Sequence, residues 1–366
     1  MMRAAEVDTP ALLVDLDVME RNLRRVADYA GSHGLRLRPH TKTHKSPRIG
    51  RRQLDLGAAG LTVAKVGEAE VMLDASPPDL LVAYPVIGPA KLARLMAVAR
   101  RARVTVSLDS LYAARQLSEA AEANSVNVGV LAETDVGLGR VGVSPGRELL
   151  DLARGMERLP GLTFEGIAFY PGHIKDNGAQ GKAGLAALGL LMQSILADFR
   201  RAGMEARIVS GGSTPSLFHS HELPGLNEIR PGTYVYNDWN TVASGGCTRD
   251  ECAAAIEVTV VSTARPGQII VDGGSKTFSS DRLTGCGAES TFGHVVEAPA
   301  AVFHKMNEEH GYVDVRECDR GFEIGERLHI IPNHICVAVN LHERVYGIRK
   351  GEVEEVWEVA GRGKLQ

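Results

Sequence analysis

Strand-like segments alternate with helix-like segments from residue 35 to residue 236, and this alternation constrains the fold more than any other feature of the chain. The strand-like segments span residues 35–42, 60–65, 79–85, 103–110, 127–137, 164–170, 205–213 and 228–236. Apolar residues recur with a helical period over residues 89–102, 110–124 and 181–203, and Ser110 can cap the second of these stretches.

Alternating strands and helices are typical of a parallel sheet, and eight strand-like segments are the number that closes a (β/α)8 TIM barrel. We therefore predict an α/β protein built on such a barrel. A doubly wound open sheet is the alternative. The first strand is not followed by the GxGxxG that a dinucleotide-binding fold of that kind favours, which counts against it.

The pattern changes after about residue 250. Residues 252–274 and 325–341 carry β-branched runs and turn residues with few helical periods, which is typical of strands. We predict a barrel over residues 11–246 and a C-terminal β domain over residues 247–366, to which residues 1–10 add a strand.

Composition narrows the class of protein. The 366 residues carry a formal net charge of −4, which argues against nucleic acid or an anionic membrane as the main partner. No secretory signal and no run of about 18 apolar residues is present, so we expect a cytoplasmic protein. The odd set of cysteines favours free thiols or a metal ligand over disulfides. They are Cys247, Cys252, Cys286, Cys318 and Cys336.

The first strand runs into the basic stretch RLRPHTKTHK at residues 36–45. Reactive groups of barrel enzymes lie at the C-terminal ends of strands. Strict alternation would point Lys42 into the barrel, with Arg38, His40 and His44 on its face and Lys45 on the other. Like charges lower the pKa of an amine and favour its reaction with a carbonyl, so Lys42 is the candidate nucleophile. A solvated basic strand end is the alternative.

Further strand ends carry groups that suit a phosphorylated cofactor. Glycines and hydroxyls there can cradle a phosphate. A lysine, such a cradle and aromatic hydroxyls on one barrel rim are what pyridoxal phosphate requires, because its aldehyde bonds a lysine while its ring acts as an electron sink. The residues at these strand ends are Arg140, Tyr170, His173, Gly212, Ser213, Thr214 and Tyr236.

A second chemical feature is IPNHICVAVNL at residues 331–341. On a strand, His334 and Cys336 would face the same way. Imidazole and thiolate form a zinc-like pair, although a buried histidine and cysteine of a core strand is the alternative. Two ligands are too few for a structural zinc site, but they suit a site whose other positions hold water and substrate.

Five motifs occur in order over nearly the whole chain: RPHTKTHK, DVGLGRVGV, GGSTP, EIRPGTYVYND and VDGGSKTFSSD. With them the chain resembles the D-threonine aldolase / D-serine dehydratase family, which are fold-type III pyridoxal-phosphate enzymes built like alanine racemase. The resemblance implies an alanine-racemase-like barrel, a C-terminal β domain, and a homodimer with active sites near the subunit interface.

The resemblance also implies residue roles. Lys42 would bond the cofactor, with His40 nearby, Arg140 near its phenolic oxygen and Tyr170 near its ring. The implied phosphate ligands are Gly212, Ser213, Thr214 and Tyr236. His334 and Cys336 would bind a divalent metal. Aldolases of the family have H-x-D here and dehydratases H-x-C, and the thiolate makes zinc the first expectation, with manganese or magnesium as alternatives.

We therefore expect a lyase that acts on small β-hydroxy-D-amino acids. If a base such as His173 removes the β-hydroxyl proton, the Cα–Cβ bond breaks to give glycine and an aldehyde, as in D-threonine aldolase. If Lys42 removes the α-proton instead, elimination gives a 2-oxo acid and ammonia, as in D-serine or D-3-hydroxyaspartate dehydratase. We place the aldolase first.

Two other classes are weighed against the lyase. An amino-acid racemase would leave the metal pair without a purpose. A pyridoxal-phosphate-binding homeostasis protein has only the barrel, so the extra β domain argues against it.

Overall fold

The computed structural model describes residues 2–283 and 291–366. It divides the chain into two compact units. The first, which we call the barrel unit, comprises Arg24–Lys42, Ser46–Gly232 and Gly363–Gln366. The second, which we call the β unit, comprises Met1–Leu23, Thr43–Lys45 and Thr233–Arg362.

The strands of the described residues are β1 Ala11–Asp15, β2 Arg36–Leu37, β3 Leu61–Val63, β4 Asp79–Val82, β5 Arg103–Leu108, β6 Val128–Glu133, β7 Leu162–Ala168, β8 Ile208–Gly211, β9 Glu228–Ile229, β10 Ala254–Arg265, β11 Gln268–Val271, β12 Gly293–Val295, β13 Val302–Met306, β14 Gly311–Asp314, β15 Arg327–Pro332, β16 Arg344–Arg349 and β17 Glu352–Glu358. The α-helices of the described residues are α1 Leu16–Ser32, α2 Pro47–Asp55, α3 Val66–Met72, α4 Pro89–Ala99, α5 Leu111–Ala123, α6 Arg147–Glu157, α7 Ala179–Arg201, α8 Trp239–Ala243, α9 Ser275–Phe278 and α10 Ile335–Leu341.

The barrel unit is a curled parallel sheet with the strand order β2-β9-β8-β7-β6-β5-β4-β3. Residues beyond β2 complete the circuit, because His40 forms a parallel bridge with Thr62 and Thr62 N donates to Pro39 O at 2.8 Å. The predicted alanine-racemase-like (β/α)8 barrel is thereby confirmed. All its strands run the same way, so their C-terminal ends share one edge.

Local sequence explains the barrel helices. Ser110 caps α5 as predicted, its hydroxyl accepting from Ala113 N at 3.3 Å. Pro89 occupies the first turn of α4, where a missing N–H costs nothing. The helix α7 buries Leu185, Leu188 and Met192, which recur at helical spacing. By length and composition alone α7 could also span a membrane, a test that a long apolar barrel helix passes too.

The β unit is built on the sheet β13-β14-β11-β10-β1-β16-β17, with β15 pairing β10 and β12. The long strand β10 organises it, because its first half pairs with β1 and β15 and its second half with β11. Alternate residues of β10, namely Ile256, Val258 and Val260, are fully buried. This half-buried alternation is the period of an antiparallel sheet with one face on a core.

The limits of the units differ from those expected. The β unit begins at Thr233 rather than at residue 247, and it also holds residues 1–23. The strand that the N-terminus adds is Ala11–Asp15 and not residues 1–10, since four apolar residues of β1 are buried between β10 and β16. Residues 11–15, which were assigned to the barrel, are therefore a strand of the other sheet.

Two predicted strands are much shorter than expected. The segment 35–42 is a strand only at Arg36–Leu37, and residues 41–44 form a turn. The segment 228–236 is a strand only at Glu228–Ile229, followed by a 3-10 helix at Thr233–Val235. Pro39 and Pro231 follow these strands, and proline cannot donate to a strand ladder.

Candidate active site

The turn after β2 separates the two lysines of the basic stretch. Lys42 is exposed in the turn. Lys45 is buried with φ +50°, and its Nζ donates to Gly361 O at 3.3 Å. The prediction that Lys42 and Lys45 lie on opposite faces of a strand is therefore wrong, because the backbone is not extended over residues 41–44. The accessible amine is nevertheless that of Lys42.

The neighbours expected on the face of Lys42 are placed differently. Arg38 is fully buried, and it lies 3.0 Å from Glu228 and 3.3 Å from Asp79, so two carboxylates offset its charge. His44 is also fully buried. His40 is half-buried, and its Nδ1 accepts from the backbone N–H of Lys42 at 3.3 Å. His40 thus supports the turn that presents Lys42.

The loop after β6 is organised by Asp135. Its carboxylate accepts from the backbone N–H groups of Gly137, Leu138 and Gly139 at 3.0–3.1 Å. Hydrogen bonds from Gly137 and Gly139 lower the pKa of Asp135. The loop carries Arg140, whose guanidinium lies 4.8 Å from the centroid of the Tyr170 ring after β7.

His173 lies against the same loop. A Cβ at Gly137 would come within 3.2 Å of the His173 ring, and Gly137 has φ +123°. Glycine at this position therefore leaves room for the imidazole. The His173 side chain is exposed, so its ring is accessible to a small molecule.

The stretch after β8 has the features of a phosphate cradle. Gly212 has φ +92°, a backbone conformation that favours glycine. The buried Ser213 hydroxyl lies 2.9 Å from that of Ser216, and the next residue, Thr214, is half-buried. Because β2, β6, β7 and β8 end at one edge of the barrel, Lys42, Arg140, Tyr170 and this cradle share that edge. These groups fit pyridoxal phosphate.

Tyr236, the remaining residue predicted to hold the phosphate, belongs to the β unit and is fully buried there. It follows the 3-10 helix at Thr233–Val235 rather than ending a barrel strand. Its proposed role rests on the resemblance and not on the strand that was predicted for it.

His334 and Cys336 are brought together by the start of a helix. The strand β15 ends at Pro332, His334 is the N-cap of α10, and Cys336 lies in the first turn. The prediction of two side chains on one strand face is therefore wrong. The two side chains are nevertheless hydrogen-bonded to each other, and this bond raises the pKa of His334 to about 9 against the opposing effect of burial.

Each member of this pair has a further partner. His334 Nδ1 lies 2.7 Å from Asp281 Oδ2. Cys336 Sγ lies 3.2 Å from the hydroxyl of the buried Thr43 and 3.8 Å from that of Thr233. Sequence reasoning missed Asp281 and Thr43, although both lie inside motifs that it singled out, VDGGSKTFSSD and RPHTKTHK.

Asp238 fixes the start of α10. Its Oδ1 caps α8 by accepting from the N–H and the hydroxyl of Thr241 at 2.9 and 2.7 Å. Its Oδ2 accepts from Ile335 N at 3.1 Å. Burial raises the pKa of this carboxyl, against the effect of these hydrogen bonds. Asp238 therefore ties the residue between His334 and Cys336 to a second helix.

The donor set suits a divalent metal with open positions. Over residues 2–283 and 291–366, no group of three or more His, Cys, Asp and Glu side chains has metal-binding geometry. The pair therefore offers one nitrogen and one sulfur ligand, which fits zinc with its other positions left to water or substrate. Cys247, Cys252 and Cys318 are free thiols, and Cys286 lies outside the described residues.

Two families match the chain by sequence. The alanine racemase N-terminal domain matches residues 14–238. The putative serine dehydratase domain matches residues 253–348. The two matches together span the barrel strands and most of the β unit.

Individual relatives extend over the whole chain. The D-threonine aldolase of an Arthrobacter species is 34% identical over 98% of this chain and 94% of that protein. The crystal structure of D-threonine aldolase from Filomicrobium marinum superposes with a TM-score of 0.92 at 34% identity, covering 100% of this chain and 98% of that one. The D-threo-3-hydroxyaspartate dehydratase of Delftia sp. HT23 superposes with a TM-score of 0.89 at 28% identity, covering 98% and 99%. A cysteine-to-alanine mutant of a D-threo-3-hydroxyaspartate dehydratase, to which this chain is 28% identical, has been solved in a metal-free form.

Proposed function

The chain belongs to the alanine-racemase-like family that contains D-threonine aldolase, and on this premise we propose that it is a pyridoxal-phosphate- and divalent-metal-dependent lyase acting on β-hydroxy-D-amino acids. The observation that carries the proposal is the exposed Lys42 on the barrel edge that also holds the Gly212 cradle and Arg140. The buried Lys45 is committed to the backbone carbonyl of Gly361.

The residues divide the work by their chemistry. Lys42 bonds the cofactor aldehyde, Arg140 and Tyr170 contact the ring, and His40 supports the turn. The phosphate is held by Gly212, Ser213, Thr214 and Tyr236. His334 and Cys336 hold the metal, for which zinc is the first choice. When bound, the cofactor would supply an electron sink and the metal would lower the pKa of the substrate's β-hydroxyl.

The first candidate reaction is retro-aldol cleavage. His173 Nε2 or Nδ1 accepts the proton of the substrate's β-hydroxyl, the Cα–Cβ bond breaks, and the β-carbon leaves as an aldehyde. The α-carbon keeps the electron pair of the broken bond and takes up a proton, which gives glycine. Support comes from the exposed position of His173 against the Arg140 loop. The likeness to D-threonine aldolases over the whole chain supports the same reaction.

The second candidate reaction is dehydration, and Cys336 favours it. Here the Lys42 amine accepts the α-proton and hydroxide leaves the β-carbon, taking up a proton to become water. The released enamine tautomerises to an imine, which water hydrolyses to a 2-oxo acid and ammonia. Support comes from the likeness to the D-threo-3-hydroxyaspartate dehydratase of Delftia sp. HT23. A cysteine-to-alanine mutant of a dehydratase with this activity was solved in a metal-free form.

Product analysis separates the reactions. The purified protein, supplied with pyridoxal phosphate and zinc, is incubated with D-threonine, D-serine and D-3-hydroxyaspartate. Glycine plus an aldehyde supports the aldolase, and a 2-oxo acid plus ammonia supports the dehydratase. Conversion of D- to L-alanine or D- to L-serine that survives thorough chelation would show a racemase and sink the lyase proposal.

The two lysines provide a matched pair of variants. Lys42→Ala is expected to abolish the visible absorbance of the covalently bound cofactor and all turnover, because no other exposed lysine lies in the turn over residues 41–44. Lys45→Ala is expected to keep the absorbance band while lowering stability. If Lys45→Ala removes the band and Lys42→Ala keeps it, the assignment of the reactive amine is wrong.

We also propose that the chain acts in the cytoplasm as a homodimer on a small D-amino acid, with no nucleic-acid or membrane partner. Sedimentation equilibrium of the cofactor-loaded protein tests the dimer. A mass of one chain at all concentrations contradicts it.

A further inference from the structure

We propose that Asp281 is a positioning residue that orients His334 for metal binding, an inference that rests on the metal site of the proposed function. The carboxylate Oδ2 lies 2.7 Å from His334 Nδ1, which is the length of a charge-assisted hydrogen bond. Both side chains are about two-fifths exposed, so the imidazole needs an internal partner to keep one orientation in the presence of water.

The contact selects one ring nitrogen as the ligand. A metal can bind only the neutral imidazole, which has one N–H donor and one nitrogen with a free lone pair. Asp281 accepts only from a protonated Nδ1, so the lone pair is left on Nε2. Nδ1 is already engaged, so the hydrogen bond between His334 and Cys336 falls to Nε2. Nε2 of His334 and Sγ of Cys336 are thus the two atoms that would hold the metal.

The backbone of Asp281 is itself held in place by two hydrogen bonds, one of which comes from the residue before His334. Its backbone N–H donates to Ser279 Oγ at 3.1 Å. Its backbone carbonyl accepts from Asn333 Nδ2 at 3.2 Å, and the same amide donates to Thr291 O at 2.5 Å. The residue that precedes His334 is therefore tied to the backbone of Asp281, so the carboxylate and the imidazole cannot drift apart without breaking this link.

The proposed sulfur ligand, Cys336, also has a polar partner, so both proposed ligands are contacted by a second side chain. Thr43 Oγ1 lies 3.2 Å from Cys336 Sγ, and both residues are buried. A carboxylate thus orients the nitrogen ligand while a hydroxyl contacts the sulfur ligand. Outer partners of this kind commonly change metal affinity by about 10- to 100-fold when they are removed.

Metal affinity, measured by competition with a chromophoric chelator on the cofactor-loaded protein, tests the proposal. Asp281→Ala is expected to weaken zinc binding by about 10- to 100-fold. Asp281→Asn is expected to lose less, because its amide oxygen still accepts from Nδ1–H. Absorbance of the bound cofactor and the urea midpoint of the metal-free protein are expected to stay within error of the parent, which a merely structural role would not allow.

A matched control lies in the same unit. Glu297 Oε1 lies 2.6 Å from His329 Nδ1, so Glu297→Ala breaks a carboxylate–imidazole pair of the same geometry away from the proposed ligands. It is expected to leave zinc affinity unchanged.

With cobalt in place of zinc, the thiolate-to-metal absorbance from Cys336 is expected to persist in Asp281→Ala at saturating metal, since the sulfur ligand is intact.

The outcomes are distinguishable. Parent and Asp281→Ala binding zinc with equal affinity would overturn the positioning role and leave the metal site of the proposed function standing. A parent that binds no zinc, cobalt or manganese overturns both. Equal weakening in Asp281→Ala and Glu297→Ala also overturns the positioning role, because it shows a general loss of structure.

Discussion

The interior of the barrel and the core of the β unit are stabilised in different ways. The barrel interior holds charges: Arg38 and Glu228 are fully buried, and Asp79 and Glu165 nearly so. The core of the β unit is formed mainly by apolar side chains such as Ile256, Phe303 and Leu328, all fully buried. Charges fix the spacing of their partners, whereas apolar side chains need only fill the volume.

The ion pairs of the barrel are connected. Arg38 contacts both Glu228 and Asp79, and Glu228 Oε1 also accepts from the Ser210 hydroxyl at 2.6 Å. Burial raises the pKa of Asp79 despite the nearby Arg38 and Arg103. The ion pairs therefore offset only part of the free-energy cost of removing these charges from water. Removing one charge of the network leaves its partner buried and less well paired, which destabilises the fold.

The largest effect is expected from Arg38→Met. The substitution removes the buried cation between Glu228 and Asp79 and leaves these carboxylates only the more exposed Arg36 and Arg103. The free energy of unfolding should therefore fall by about 3–5 kcal/mol. Urea denaturation followed by circular dichroism measures this. The matched control is Arg36→Met, which removes a cation 3.5 Å from the same Glu228, and Arg36 is 46% exposed. Its cost should stay below about 1 kcal/mol.

A double substitution sharpens the first prediction. Arg38→Met combined with Glu228→Gln should be less destabilised than Arg38→Met alone, because the stranded carboxylate is gone. If the two losses add, Arg38 contributes by packing and not by charge, and the contrast between the two interiors is lost.

An intermediate effect is expected from Ile256→Val in the β unit. The change deletes one methylene from a fully buried side chain of β10 and should cost about 0.5–1.5 kcal/mol. Val261→Ala on the same strand is the control, since Val261 is 43% exposed and its loss should stay within about 0.5 kcal/mol. If Ile256→Val lowers the free energy of unfolding as much as Arg38→Met does, the apolar core of the β unit is not more tolerant of substitution than the charged interior of the barrel.

The smallest effect concerns the pH dependence of the β unit. A hydrogen bond to Glu297 raises the pKa of His329. Burial alone would raise the pKa of Glu297, but the hydrogen bonds from His329 lower it on balance. The stabilisation from His329 is fully present below its unfolded pKa of about 6.5 and is lost as pH rises through its raised folded pKa. The stabilisation from Glu297 is fully present above its unfolded pKa of about 4.3 and is lost as pH falls through its lowered folded pKa.

The pair should therefore stabilise the protein most between about pH 4.5 and 6.5. His329 is 38% exposed, so solvent screening limits the stabilisation by the pair to about 0.3 kcal/mol. Urea denaturation of the parent and of Glu297→Gln at about pH 5.5 and about pH 8.5 measures the difference. A gap between the two proteins that widens in alkali would contradict the assignment.

The sequence predicts the barrel because its signal is repeated. Each strand contributes the same apolar run and each helix the same period, so errors at single boundaries do not change the fold. The pattern misleads where proline interrupts a strand. Pro39 and Pro231 end the ladders of β2 and β9, and the expectation of extended backbone through Lys42 and Tyr236 is wrong for that reason.

The candidate site shows what motifs leave out. Motif reasoning singled out His334 and Cys336 but assigned them to a strand, since the short apolar run ICVAVNL fits a strand and a helix equally well. The contacts of Asp281 with His334 and of Thr43 with Cys336 join residues 53 and 293 positions apart in the chain. Periodicity carries no signal for such long-range pairs.

Neither unit is a continuous piece of the chain. The β unit takes residues 1–23, a three-residue piece at Thr43–Lys45, and residues from Thr233 onward, while the barrel unit takes Gly363–Gln366 from the far end. A fragment cut at the family boundary near residue 250 would keep β1 and lose β10 and β16, the two strands that pair with it. The halves of this enzyme are therefore poor modules for domain exchange, and recombination among relatives is best made with the whole chain as the unit.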